Sequence, residues 1–196
     1  LRPHSGWWSR PCPCYSLASR RLPCPPELVT TLRRNARLAL AINTEKAQAE
    51  WLIAPILVEF WDRYAGTLTL LSGTTFFATD PAGGLIGYVD FLFGRGPQRP
   101  LITAPVLIVY EAKNENIDEA FGQFIAAIVG AQRFNRRHNI GIETVNGCST
   151  TGDNGKCLQL TDTLVTIDLT EYQLAEVEKI LGILTHMVGP VPEPAA

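Results

Sequence analysis

Apolar residues recur at helical spacing through TEKAQAEWLIAPILVEFWDRY (44–64), where Ala49, Leu52, Ile53, Ile56, Leu57 and Phe60 make one face. Pro55 falls inside that pattern. It has no N–H, and its ring clashes with the carbonyl four residues back, so it predicts a kink or a break. The rhythm then shortens. TLTLLSGTTFFAT (67–79) reads as a strand with a turn or bulge at Ser72-Gly73, PAGG (81–84) as a turn, and LIGYVDFLF (85–93) as a second strand. GRGPQRP (94–100) is a loop. APVLIVYEAK (104–113) is apolar almost throughout, which suits a central strand covered on both faces.

Helical periodicity returns in NIDEAFGQFIAAIVGAQRFNRR (116–137). Asp118 and Glu119 near its start and Arg136 and Arg137 at its end agree with the helix dipole. Residues 141–169 suggest two or three strands, with Gly-Asp-Asn-Gly (152–155) as a turn, and 171–188 reads as a closing helix. The order is helix, three strands, helix, strands, helix. It predicts an α/β protein with a central mixed sheet flanked by helices. The expected domain runs over 27–188, between a disordered leader (1–26) and a disordered tail (189–196).

Composition changes the picture only in places. The 196 residues suit one domain, and 46% hydrophobic content is enough to fill a core. No run of 18 apolar residues occurs, so no membrane span is expected. A net charge of −2 excludes a broadly basic nucleic-acid coat, but not local grip on phosphate aided by metal ions. The five cysteines are odd in number and none is spaced C-x-x-C, which reads as reduced thiols of a cytoplasmic protein.

The chemistry of interest sits at the end of the third strand. Residues two apart on a strand share a face, so Glu111 and Lys113 point the same way. Asp90 lies among the apolar residues of the strand before. A buried, unpaired carboxylate costs several kcal/mol, so each acid needs compensation by an ammonium or a cation. E-x-K alone recurs by chance. Asp90 upstream, two apolar strands around it and an amphipathic helix behind it narrow the reading. Glu50 sits beside the first helix's apolar face by a 100° step. On the second helix, Gln132 shares the face of Phe124 and Ile128, and Gln123 lies toward its flank. The basic end of that helix, Arg133 to His138, is chiefly a dipole-compensating terminus.

Asp90 followed by Glu111-Ala112-Lys113, with helices before and after, resembles the PD-(D/E)XK nuclease superfamily, which has the restriction-endonuclease-like fold. NTEKAQAEWLIAPILVEF, GYVDFLF, APVLIVYEAKNENI, GQFIAAIVGAQRFN and EKILGILTHMV look, in order, like a group of such proteins common in cyanobacteria and other bacteria. Val89 stands where many members have proline. The resemblance implies that fold in α-β-β-β-α-β order, and a metal-dependent phosphodiester hydrolase acting on nucleic acid, DNA by family habit. Asp90, Glu111 and the carbonyl of Ala112 would hold Mg²⁺ or Mn²⁺, and Lys113 would serve the attacking water. Glu50 and Gln123 would support the site. A homodimer is compatible with it, and the rival reading is a non-catalytic nucleic-acid- or protein-binding module on the same fold.

Overall fold

A computed structural model describes residue 15 and residues 20–77, 86–102, 105–113, 117–138 and 141–189; the side chains of 75–77, 86–87, 117–121 and 123 are outside the description. Helix α1 (Pro26–Ile42) opens with proline in its first turn, where the missing N–H leaves no bond unmade. Helix α2 (Glu45–Gln48) is capped by Thr44, whose hydroxyl accepts from the Ala47 amide at 3.2 Å. It runs into a π-helical turn (Ala49–Ile53) and then helix α3 (Ala54–Asp62).

That π turn is the effect of Pro55. The Trp51 carbonyl has lost the amide that would bond it one turn on. The backbone widens so that Ala54 N–H reaches the Ala49 carbonyl, five residues back. Asn35 of α1 gives its side-chain N–H to the orphaned Trp51 carbonyl at 2.9 Å. Asn35 is itself buried, so the polar groups satisfy each other away from water. All six residues of the apolar face drawn from the sequence are buried.

The sheet follows. β1 (Leu68–Phe77), β2 (Ile86–Arg95) and β3 (Val106–Ala112) form an antiparallel meander. Helix α4 (Ile117–Arg137) crosses over to β4 (Thr144–Thr150), which pairs parallel to β3. β5 (Asn154–Thr161) and β6 (Leu164–Ile167) add antiparallel strands, and β7 (Tyr172–Gln173) pairs with the start of β5. A 3-10 turn (Leu174–Glu176) leads to helix α5 (Val177–Val188). The order is β1-β2-β3-β4-β5-β6, an open, mostly antiparallel mixed sheet with β3 in its interior. Every residue of β3 is buried, as its apolar run required.

Helices flank both faces. On one, α1, the π turn, α3 and α5 pack Leu32, Ile53, Phe60 and Leu184 against Phe91, Phe93, Ile108 and Tyr110. On the other, α4 packs Phe124, Ile128 and Ala131 against Leu92, Val109, Val145 and Leu158. Each large side chain so buried contributes about 1.5–3 kcal/mol. Asn135 locks α4 to the sheet: its amide donates to the Val106 carbonyl at 2.8 Å and accepts from the Val106 N–H at 2.7 Å.

Ordered structure also extends upstream of Glu27. The Leu22 amide donates to the Glu178 carbonyl at 2.9 Å, and Arg21 pairs with Glu176 at 2.9 Å, so residues 20–25 lie along α5. Tyr15 is buried and gives its hydroxyl hydrogen to Asn146 Oδ1 at 2.7 Å. No helix among the described residues is long and apolar enough to cross a membrane.

Candidate functional site

The site forms where β2 and β3 part. Their ladder pairs Phe91 with Tyr110, and the next pair would be Asp90 with Glu111, but regular pairing stops there. On the other side of β2, pairing with β1 is interrupted at the same residue, opposite Gly73. Gly73 has φ +60°, a conformation that side chains disfavour, and it breaks the β1 ladder where the sequence suggested a bulge. Asp90 therefore stands at an irregularity on both edges of its strand. Its carboxylate takes the place of a ladder bond: Oδ2 accepts from the Ala112 N–H at 2.8 Å.

Glu111 alternates with Tyr110 along β3, so it faces away from the α1/α3/α5 layer, on the side of Val109. It is 6% exposed. Its Oε2 lies 3.3 Å from Lys113 Nζ, an ion pair that is itself nearly enclosed. Burial pushes the Glu111 carboxyl up to about 7; the Lys113 ammonium opposes that rise, and the charges of Asp90 and Glu45 add to it. One oxygen on each acid, Asp90 Oδ1 and Glu111 Oε1, has no hydrogen-bond partner among the described residues. Asp90, Glu111, Ala112 and Lys113 are thus gathered in one place, and a positive charge there would relieve the repulsion between the two carboxylates.

The supporting residues fall differently. Glu50 is not brought to this place: its side chain is 55% exposed and sits 3.7 Å from Lys46. A uniform 100° step cannot carry across the π turn, which contains Glu50 and takes more residues per turn. The acid of this region whose charge reaches Glu111 is Glu45, in the first turn of α2. Gln123 lies on α4 with its side chain outside the described residues. Gln132 is buried, as its helical angle indicated, but it serves the fold, donating to the Glu143 carbonyl at 3.0 Å.

Ser149 is the neighbour that sequence reasoning missed. It is the parallel partner of Glu111 on β4, it is 1% exposed, and its Oγ has no hydrogen-bond partner among the described residues. Nothing in the string CST marks it; only the β3–β4 register does. The basic end of α4 is far away. A 21-residue helix spans about 30 Å, and α4 starts near the end of β3 and runs back from it. There Arg136 pairs with Asp162 at 3.2 Å and His138 Nδ1 contacts the Phe134 carbonyl at 2.9 Å. Among the described residues no group of three or more His, Cys, Asp or Glu side chains is gathered as a metal site. Cys12 and Cys14 lie outside the described residues.

No protein family, curated protein or solved structure compared with this chain matches it.

Proposed function

We propose that this protein is a metal-dependent phosphodiester hydrolase with a restriction-endonuclease-like fold, acting on nucleic acid, with DNA as the substrate class. The observation that carries the reading is the pair of carboxylates on neighbouring strands: Asp90 bonded to the Ala112 amide, Glu111 paired with Lys113, and the charge of Asp90 felt by Glu111. The three-stranded meander, the crossover helix and the parallel fourth strand support the fold assignment.

The donor set suits a hard cation. Mg²⁺ takes oxygen ligands, keeps several waters and uses few protein carboxylates, and Mn²⁺ accepts the same set. Asp90 and Glu111 would hold it, with the Ala112 carbonyl as a backbone donor. Bound there, the cation would lower the pKa of a coordinated water and offset charge on the phosphoryl oxygens. The chain's own residues do the rest. Asp90 is fixed by the Ala112 N–H, so its other oxygen is held in place without further ordering. Lys113, as a compact ammonium, orients the attacking water and neutralises phosphate charge. The enclosed position of Glu111 keeps bulk water from screening these charges.

Incubation of the purified chain with supercoiled plasmid tests the proposal. Nicking is expected with Mg²⁺ or Mn²⁺, none with EDTA, and none from Lys113→Ala. Undiminished nicking by that variant would remove Lys113 from the mechanism. DNA retention without nicking in any divalent metal would replace the hydrolase with the binding module.

A further inference from the structure

Cys148 on β4 and Cys157 on β5 are direct partners in the antiparallel ladder. Opposite residues in such a pair have Cβ atoms about 4.5–5.5 Å apart, at the edge of what a disulfide spans. Their sulfurs lie 2.9 Å from each other, inside van der Waals contact, and Cys148 Sγ is 4.0 Å from Met187 Sδ. Both cysteines are buried, yet both line a cavity of about 30 Å³ bounded also by Tyr110, Lys156, Tyr172 and Ile180. About 10–15 Å³ on this measure holds one water, so there is room for a small peroxide beside the sulfurs. Both sulfurs are buried, so a bulky oxidant such as glutathione disulfide reaches them more slowly than a small peroxide.

We propose that Cys148 and Cys157 form a thiol-oxidation site that admits a small peroxide and closes into a disulfide across β4 and β5. Both sulfurs are buried and face each other, so either order of attack gives the same disulfide; in one order Cys148 attacks first. Having lost its proton to solvent, Cys148 Sγ attacks one peroxide oxygen. The O–O bond breaks, and the other oxygen leaves as hydroxide and takes up a proton. Cys157 Sγ then attacks the sulfenic sulfur and gives up its own proton. The S–S bond forms, the S–O bond breaks, and a second water leaves. Two thiols lose two hydrogens and two electrons, and hydrogen peroxide becomes two waters. The site is independent of the hydrolase reading: the thiols face the α1/α3/α5 layer, opposite to Glu111.

The test uses the full reduced chain. It is treated with hydrogen peroxide or with glutathione disulfide, unfolded in denaturant with N-ethylmaleimide, and digested with trypsin. Cleavage after Lys156 separates the two cysteines, so the product expected from peroxide is peptide 138–156 joined to peptide 157–179. Glutathione disulfide is expected to give it more slowly. With dimedone present as the peroxide-treated chain is unfolded, at least one of Cys157→Ser and Cys148→Ser is expected to carry the adduct on its remaining thiol. Recovery of both peptides singly blocked by maleimide after peroxide treatment would overturn the proposal, and so would faster closure with glutathione disulfide than with peroxide.

Discussion

Glu111 shows what one residue's surroundings determine. Its carboxyl stands at about 7 in the folded chain against 4.5 as an ordinary glutamate, because burial disfavours the anion more than Lys113 favours it. The folded state therefore holds this proton more tightly than the unfolded state does. The contribution to stability is fully present below pH 4.5 and is lost as pH rises through about 7. Its size is about 3 kcal/mol at most, at 1.36 kcal/mol for each pH unit between the two values. Glu111→Gln should flatten this: in EDTA, melting temperature of the wild type should fall from pH 5 to pH 8 relative to the variant. A parallel pH profile for the two proteins would mean that the carboxylate is already compensated. The pairing of Glu111 with Lys113 could be read from strand alternation alone. The companionship of Asp90 could not, since it needs the β2–β3 register and the break in that ladder. Ser149 was out of reach for the same reason: a parallel neighbour across a crossover leaves no mark in local sequence.

At the scale of elements, periodicity found what is long and regular. The helix at 116–137 and the buried run that became β3 were legible because their patterns extend over many residues. Helix α1 was not. Its buried stripe is Leu28, Leu32, Asn35 and Ala39, one of them polar, while Leu38, Leu40 and Ile42 are exposed and blur the period. The stripe is polar at Asn35 because α3 needs a donor there, for the Trp51 carbonyl that Pro55 leaves bare. One residue's exception on the later helix thus explains another's on the earlier. Asn35→Ala should cost about 1–3 kcal/mol, the penalty of a buried carbonyl left without a partner. In a Pro55→Ala background, an amide at position 55 can serve Trp51, and the same substitution should cost less. Urea denaturation of the four proteins of this cycle measures the coupling, and strict additivity would show that the two features are unrelated.

For the whole molecule, the question is how the N-terminal segment comes to belong to the fold. Its composition, with many prolines and arginines and no acid before Glu27, suggested a leader apart from the domain. Residues 20–25 nonetheless lie against α5, with Arg63 donating to the Pro23 carbonyl at 2.6 Å and the Leu22 amide bonded to Glu178. The partners are long-range in sequence and mostly backbone, so no side-chain pattern could announce them. Gly182 makes the approach possible, because a Cβ at that position would collide with the backbone carbonyl of Arg20. Gly182→Ala separates two effects of opposite sign. Helix propensity alone would stabilise α5 by about 1 kcal/mol. Forcing the segment outward costs about 1–3 kcal/mol by the usual penalty for overfilling a packed site. The variant should therefore melt lower than the wild type and be cut faster by trypsin after Arg20 and Arg21, with the remainder of the chain resisting as before. A higher melting temperature with unchanged cleavage would mean that α5 carries no strap, and that the domain's packed boundary lies at α1.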